Sequence, residues 1–179
     1  MWLGDVPRPG TRKARPLLYL DIDGVLNPEM PDDRFTEHVI GRLTVRVNPD
    51  HGPWLRDLAT DYDLVWATTW EEHANVHIGP LLGLPPLPHV EFFDYTPQQG
   101  DPRIPLLQLP LMRKWAPILR HADGRAFAWV DDVIPLTIRR QALPHRRALR
   151  LVPVNPARGL TRRHVESLHR WAARLDRRQ

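Results

Sequence analysis

Cysteine is absent from this 179-residue chain, which excludes disulfides, thiolate metal sites and cysteine nucleophiles. Long apolar runs are absent as well, and without a stretch of about 18 apolar residues the sequence predicts no membrane-spanning helix. Residues 1–15 hold no apolar stretch of signal-peptide length, so we expect a flexible leader that is retained. Residues 16–179 are then expected to form a single domain, and the lack of cysteine fits a cytoplasmic protein.

Lysine is scarce, because 23 of the 25 basic residues are arginine. Residues 1–137 carry 13 Lys+Arg against 19 Asp+Glu, whereas residues 138–179 carry 12 Arg against 2 acids. The resulting net charges of −6 and +10 add to the +4 of the whole chain. So basic a C-terminal third predicts contact with a polyanion such as RNA. A general preference for arginine codons would give the same composition, and both interpretations stay open.

Short apolar runs that end abruptly in polar residues are typical of buried parallel strands. Such runs lie at residues 16–20, 64–67 and 126–130, with weaker ones at residues 90–93 and 148–152. Helical patterns lie between them, at about residues 50–60, 70–82, 106–121 and 133–142, and a last helix follows Thr161. Strands that alternate with helices predict an α/β fold with a doubly wound, Rossmann-like parallel sheet flanked by helices.

A β-hairpin is predicted shortly after the first strand. Over residues 35–47, Leu43, Val45 and Val47 alternate with polar residues that include two arginines, and Gly41 marks the turn. No other insertion has the length of a capping domain. The predicted fold therefore includes a small hairpin flap and no large cap domain.

Two aspartates follow the first strand, in the segment Asp21-Ile22-Asp23-Gly24. Residues two apart on a strand point to the same side, so Asp21 and Asp23 are expected to converge at the sheet edge where open α/β folds bind ligands. Close carboxylates repel unless a cation compensates, and Mg²⁺ suits an all-oxygen site that also receives phosphate. An acidic Asp-Gly turn is the structural alternative. An EF-hand calcium loop is excluded because a strand, not a helix, precedes these residues.

Three further polar features follow along the chain. Thr68 ends the second strand, where its hydroxyl suits either a phosphate oxygen or the start of a helix. Lys114 is unusual in an arginine-rich chain, and its compact ammonium suits a place between a phosphate and a carboxylate, with a solvated helix lysine as the alternative. Asp131 and Asp132 end the third strand. In combination, these features indicate a site that binds phosphate and a metal ion.

The order of these features resembles the four motifs of the haloacid dehalogenase (HAD) superfamily of phosphatases. The motifs fall at Asp21-Ile22-Asp23-Gly24-Val25-Leu26-Asn27, Thr68, Lys114 and Asp131-Asp132. A narrower resemblance, to the HAD domain of Swiss-army-knife RNA repair proteins, rests on residues 64–75, 124–132 and 159–161. Together the two resemblances cover about residues 16–175.

The resemblance implies a HAD-type phosphatase, that is, a Mg²⁺-dependent phosphoester hydrolase. It assigns Asp21 as the nucleophile that forms an aspartyl-phosphate, and Asp23 as the group that protonates the leaving oxygen and then deprotonates water. Asp21, Asp131 and the main-chain carbonyl of Asp23 would hold Mg²⁺. Thr68 and Lys114 would bind phosphoryl oxygens and offset the charge of the transferred group.

One departure from the superfamily pattern concerns Asp132. Many members space the last two acids as Asp-x-x-x-Asp, whereas here the acids are adjacent and position 135 is proline. The role of Asp132 at the metal, direct or through water, is therefore left open. Thr69, Trp70 and Asn27 are further candidates for the site.

A histidine pair offers a different interpretation. His73 and His77 stand four apart on a predicted helix, as zinc ligands can. The order Glu72-His73 is not that of a His-Glu-x-x-His site, and no third ligand is evident, so zinc is not favoured. Glu72 and Asn75 fit a pocket lining and a solvated helix face equally well.

The size of the substrate depends on the elements that can cover the site, and the hairpin is the predicted lid. With the hairpin as its lid, an open site accepts a phosphate at the end of a nucleic acid as well as a small nucleotide or sugar phosphate. The basic C-terminal third and the RNA-repair resemblance favour a nucleic-acid end. A non-catalytic, arginine-rich nucleic-acid-binding module on a HAD-like fold is the alternative, and four motifs that are intact in type favour the enzyme.

Overall fold

The structure is a computed structural model that describes residues 14–92 and 114–177. The strands in this part of the chain are β1 (Leu17–Leu20), β2 (Thr36–Ile40), β3 (Leu43–Val47), β4 (Asp63–Trp66), β5 (Phe127–Asp131) and β6 (Leu149–Pro153). The α-helices are α1 (His51–Leu58), α2 (Trp115–Ala122), α3 (Leu136–Ala142) and α4 (Arg162–Asp176). No helix in the described ranges is both long and apolar enough to cross a membrane.

Three parallel strand pairings build one four-stranded sheet in the order β4-β1-β5-β6. All four residues of β1 are buried, because β4 and β5 pair with its two edges. Since the strands are parallel, the chain leaves β1, β4 and β5 at the same edge of the sheet. The polar residues that follow these strands are thereby brought together, as open α/β sheets require for a ligand site.

Helices cover both faces of the sheet. Successive side chains of a strand point to opposite sides, and in β1 the side chains on both sides are apolar, so each face is covered by helices. Leu18 and Leu20 belong to a core cluster that includes buried residues of α1 and α4. Leu17 and Tyr19 belong to a second cluster that includes buried residues of α2 and α3. This arrangement confirms the predicted doubly wound α/β fold.

The last helix forms where the sequence predicts it. Thr161 lies in an extended conformation before the first turn of α4, and its backbone N–H donates to Nδ1 of His164 at 3.1 Å. The apolar positions at helical spacing are buried against the sheet: Val165, Leu168, Trp171 and Ala172. The helix is therefore held by its amphipathic face as well as by its cap.

The predicted hairpin is confirmed. β2 and β3 pair antiparallel from Ile40↔Leu43 to Thr36↔Val47, and Gly41 supplies the left-handed conformation of the turn with a φ of 62°. Val45 and Val47 are buried in the core, so the end of the hairpin nearest α1 is fixed while its tip is exposed. No large cap is evident in the described residues.

Two predicted elements differ from the structure. Residues 90–92 form no strand, and the chain there makes a single bridge at His89 to Trp66. The pairing does not continue because the N–H of Phe92 donates to the carboxylate of Glu71. The predicted helix over residues 70–82 is instead a π-helical turn (Ala74–Ile78) followed by a 3₁₀ turn (Pro80–Leu82). Proline at position 80 and the left-handed Gly83 end any longer helix there.

The other predicted helices are confirmed with shorter bounds. The helix predicted over 133–142 begins only at Leu136, directly after Pro135, and α1 ends at Leu58. Of the helix predicted over 106–121, the described part is α2, which begins at Trp115, directly after Lys114, and ends at Ala122. Three parts of the predicted elements lie outside the described residues: the leader up to residue 13, residue 93 of the weaker strand, and residues 106–113 of the helix predicted over 106–121.

Candidate active site

The turn after β1 fixes the first aspartate. The backbone N–H of Asp21 still donates to the carbonyl of Val130 in β5, at 3.1 Å, although the strand has ended. The carbonyl of Ile22 then accepts the N–H groups of the residues three to five positions later, which folds the chain into a compact hydrogen-bonded turn. The carboxylate of Asp21 is buried, and one of its oxygens accepts the N–H of Ile22 at 2.8 Å.

Gly24 lets another carboxylate approach this turn. It has a φ of 72°, and a Cβ atom at this position would lie 2.5 Å from Cγ of Asp132. No residue other than glycine combines this backbone conformation with so close a neighbour. The glycine of the predicted motif therefore seats the side chain of Asp132 over the turn.

A half-buried lysine joins the ends of two strands. Nζ of Lys114, directly before α2, donates to Oδ2 of Asp21 at 2.5 Å and to Oδ2 of Asp131 at 2.9 Å. The second oxygen of Asp131 accepts the N–H of Val133 at 2.8 Å, so both of its oxygens are engaged. Residues more than 90 positions apart in the sequence thus meet in one ion-paired cluster.

The electrostatics of this cluster favour an added cation. Burial raises the pKa of Asp21 to about 7, against the attraction of Lys114 and together with the repulsion of Asp131. Burial opposes the charge on Lys114, but the carboxylates of Asp21 and Asp131 raise its pKa above the usual range. Burial, followed by the charge of Asp21, also raises the pKa of Asp132. One ammonium therefore faces three carboxylates, and negative charge is left over.

The donor set fits a hard divalent cation. One oxygen each from Asp21, Asp131 and Asp132 lie within 4.8 Å of one another, which is the single such cluster of three or more acids or histidines in the described ranges. Carboxylate oxygens are the ligands that Mg²⁺ takes in proteins, whereas zinc prefers histidine and cysteine. His73 and His77 belong to no such group.

Asp23 is held apart from the three clustered acids. Its exposed carboxylate accepts the indole N–H of Trp70 on Oδ2 at 2.9 Å and the amide of Asn27 on Oδ1 at 3.0 Å. The oxygen of the Asn27 amide accepts the backbone N–H of Arg46 in β3, at 2.9 Å. Asp23 is therefore oriented by Asn27 of its own turn and by Trp70 of the segment after β4. Asn27 also connects it to the hairpin.

The two threonines after β4 have different environments. Thr68 is buried at 1% exposure, and its hydroxyl accepts only a long contact of 3.4 Å from the N–H of Trp70. Thr69 is exposed and lines the cavity over the acids, which Thr68 does not.

The turn after these threonines is strained at Glu71. This residue has a φ of 46°, a conformation that costs a non-glycine residue on the order of 1 kcal/mol. Its carboxylate accepts the N–H of Phe92 at 2.8 Å, which helps to hold this turn.

Two adjoining hollows open over these residues. The first, which we call the acid cavity, has a volume of about 430 Å³. Its lining includes Asp21, Asp23, Asn27, Arg46, Thr69, Lys114 and Asp132. The second, which we call the side groove, has a volume of about 490 Å³ and lies between the hairpin and the segment after β4. Its lining includes Ile40, Leu43, Trp70, His73 and His77, and the two hollows share Asp23, Asn27, Thr44 and Thr69.

Sequence reasoning missed the role of Asn75. Its amide oxygen accepts the indole N–H of Trp66 at 2.9 Å and the backbone N–H of Leu87 at 2.8 Å, and its nitrogen donates to the carbonyl of Leu87. Asn75 is therefore a structural link between β4 and the proline-rich segment, not a pocket residue. A carboxylate oxygen of Glu72 lies 3.3 Å from Nδ1 of His89 on the same side. Such contacts depend on the tertiary fold, and no local pattern marks them.

The arginines of the basic C-terminal third are divided between two edges of the sheet. Three exposed arginines lie in the loop after β6 and the first turn of α4, at the edge that carries the acids: Arg158, Arg162 and Arg163. This loop contacts the turn after β1, since the N–H of Leu160 donates to the carbonyl of Val25 at 2.7 Å. Other arginines lie before β6 or at the end of α4, which places them at the opposite edge: Arg146, Arg147, Arg174 and Arg177.

Comparison with known proteins gives one match. Residues 17–165 match a family described as the HAD domain in Swiss Army Knife RNA repair proteins. No curated protein and no solved structure matches the chain.

Proposed function

The chain belongs to the family of HAD domains in Swiss Army Knife RNA repair proteins, and from this premise we propose that it is a Mg²⁺-dependent phosphohydrolase with Asp21 as its nucleophile. The family as a whole supports a hydrolase of phosphoesters. The observation that carries the finer proposal is the bridge that Lys114 makes between Asp21 and Asp131 at the floor of the acid cavity. A half-buried ammonium that bridges two carboxylates at the wall of a cavity suits a site that receives phosphate.

The chemistry begins at the carboxylate of Asp21. An oxygen of Asp21 forms a bond to phosphorus while the bond from phosphorus to the leaving oxygen breaks, and Asp23 gives its proton to that oxygen. In the second half, Asp23 takes a proton from water, the water oxygen bonds to phosphorus, and the acyl phosphate bond to Asp21 breaks. Lys114 offsets the charge of the phosphoryl oxygens in both halves.

The fixed orientation of Asp23 supports this assignment. Trp70 and Asn27 each donate to a different oxygen of its carboxylate, so the plane of the carboxylate is set while a lone pair stays available on each oxygen. A general acid must present its proton to one position, and two side-chain donors achieve that without burying the group.

Asp21, Asp131 and Asp132, with the main-chain carbonyl of Asp23, would hold Mg²⁺. When bound, Mg²⁺ supplies positive charge that screens the phosphoryl group from the carboxylates. The sequence left the role of Asp132 at the metal open. Its side chain lies directly over Gly24, beside the turn that carries Asp21, and this position supports a part for Asp132 in the metal site. Thr69, which lines the acid cavity, complements Thr68 as a hydroxyl donor to phosphate.

The substrate proposed is the phosphate at a nucleic-acid end, in RNA repair. The acid cavity is open and carries Arg46 on its hairpin side, and three exposed arginines lie at the same edge of the sheet, Arg158, Arg162 and Arg163. If they contact RNA, replacing all three by Gln lowers the slope of log affinity against log salt by about 2, at about 0.7 per phosphate contact. Replacing three arginines at the opposite edge by Gln, Arg146, Arg147 and Arg174, changes the slope less. Equal effects of the two sets would refute this path for RNA.

Phosphate release tests the proposal. The substrates are an aryl phosphate and RNA oligomers with a 5′- or 3′-phosphate, each with Mg²⁺ or with EDTA. We expect activity that needs Mg²⁺ and falls by about 10⁴-fold or more in Asp21→Asn, whereas Asp33→Asn, at an exposed aspartate outside the cavity, keeps it. Activity that survives in Asp21→Asn would refute the nucleophile. RNA binding without hydrolysis of any substrate would favour the non-catalytic, arginine-rich binding module.

A further inference from the structure

The side groove continues directly from the place where the phosphate is expected to react. Four residues line both hollows, and one of them is Asp23. The acids and Lys114 lie on the side of the acid cavity, whereas Trp70 and the histidines lie on the side of the groove. The indole N–H of Trp70 reaches Asp23 from that second side.

The chemistry of the proposed reaction determines what the groove must hold. The group that receives a proton from Asp23 is the leaving oxygen, and the rest of the leaving group continues beyond it. In an in-line displacement the leaving group lies opposite the attacking oxygen of Asp21. With Asp21 in the acid cavity and Asp23 at the boundary, the leaving group extends into the side groove.

The lining of the groove suits a flat, uncharged group. One wall is aromatic, with Trp70, His73 and His77, and the two imidazole rings are parallel within 11° at 6.2 Å. The other wall is the hairpin, where Ile40 and Leu43 line the groove and Leu43 is 57% exposed despite its apolar side chain. Among the described residues that line this groove there is no lysine or arginine, so a polyphosphate or a second sugar phosphate finds no cation there.

We propose that the side groove is a base-binding subsite, in which the nucleobase of a terminal nucleotide lies between the aromatic wall and the hairpin while its phosphate reacts at Asp21. This inference rests on the proposed phosphohydrolase function and names its substrate class, a nucleoside phosphomonoester. Aromatic side chains that face a base without reading its edge give tolerance for every base, which suits a repair substrate of any terminal sequence.

The first test compares substrates with and without a base. We measure kcat/KM for adenosine 5′- and 3′-monophosphate and for ribose 5-phosphate, in the wild type, Leu43→Ala and His77→Ala. Val39→Ala is the matched control, since Val39 is exposed on the same hairpin but does not line the groove. We expect both groove variants to lower kcat/KM for an adenosine monophosphate by about tenfold or more and to leave ribose 5-phosphate within about twofold. A 5′-phosphorylated RNA oligomer, run beside the nucleotides, distinguishes a free nucleotide from a nucleic-acid end.

The second test separates this inference from the proposed function. Binding of adenosine 5′-monophosphate and ribose 5-phosphate to the wild-type protein and the three variants is titrated in EDTA, where no turnover is expected. Weaker nucleotide binding in Leu43→Ala and His77→Ala, with unchanged Val39→Ala, supports the subsite even if hydrolysis is absent. Hydrolysis of nucleotide and ribose 5-phosphate with equal kcat/KM, or an equal loss for both in the groove variants, overturns the subsite and leaves the phosphohydrolase. Neither hydrolysis nor preferential nucleotide binding overturns both.

Discussion

The buried imidazole of His51 is expected to make the free energy of unfolding of this protein fall in acid. Its side chain is 0% exposed, one ring nitrogen lies 3.1 Å from the carbonyl of Leu160, and Nδ1 has no hydrogen-bond partner. The bond to a carbonyl requires Nε2 to carry the proton, so the neutral ring fits and a protonated ring would bury a charge. Burial accordingly lowers the pKa of His51 to about 4 from the usual 6.5.

The sign of the effect follows from the direction of this shift. Between pH 6.5 and pH 4 the unfolded chain protonates His51 while the folded chain resists, so the unfolded state binds more protons. The stability due to the neutral ring is complete above pH 6.5 and is lost as the pH falls towards 4. The difference of about 2.5 pKa units, at about 1.36 kcal/mol each, corresponds to about 3 kcal/mol.

Urea unfolding from pH 7.5 to pH 4.5 measures this contribution. His51→Gln cannot titrate but keeps an N–H donor for Leu160, so its free energy of unfolding should fall with decreasing pH by about 2 kcal/mol less than that of the wild type. The exposed His145→Gln is the matched control and should follow the wild type. Parallel pH profiles for the wild type and His51→Gln would refute the reasoning. Because Leu160 also holds the turn after β1, the same titration is expected to loosen that turn in acid.

Three shorter predictions concern the site. Trp70→Phe keeps a ring but loses the donor to Asp23, so kcat should fall by about tenfold with little change in the Mg²⁺ requirement, which a kcat and KM comparison checks. Gly24→Ala should weaken the apparent affinity for Mg²⁺ by about tenfold or more in an activity titration, whereas Gly41→Ala, with the same sign of φ and no atom within 4 Å of its Cβ, should not. Mg²⁺ at about 100 times its dissociation constant should raise the melting temperature by about 5 °C or more, and Asp131→Asn should abolish the rise in a thermal scan.

The sheet and the position of the site could be predicted from the sequence because they depend on local patterns. A buried strand requires an uninterrupted apolar run, and Leu17–Leu20 has one that stops at Asp21. Parallel strands place their carboxyl ends together, so the order of the polar residues already implied that Asp21 and Asp131 meet. Lys114 could be singled out because lysine is rare in this chain.

Other features could not be predicted because distant residues decide them. Val90 and its neighbours have strand-like side chains, but the N–H of Phe92 donates to the carboxylate of Glu71, 21 positions away, and the pairing with β4 ends there. The spacing of Asp21 and Asp23 indicated that they converge, and both line the acid cavity, yet Trp70 and Asn27 hold Asp23 apart from the clustered acids. That arrangement requires a backbone turn after β4 that no propensity scale describes.

One amide connects the hairpin with the acid. The oxygen of Asn27 is bonded to the backbone of Arg46, and its nitrogen is bonded to Asp23, so neither end can rotate without releasing the other. A shift of the hairpin by even one ångström would lengthen one of these bonds beyond hydrogen-bonding distance. The hairpin and the carboxylate of Asp23 are therefore held in one fixed geometry by a single side chain. A chain with aspartate at position 27 would lose this link, since a carboxylate has no N–H to donate to Asp23.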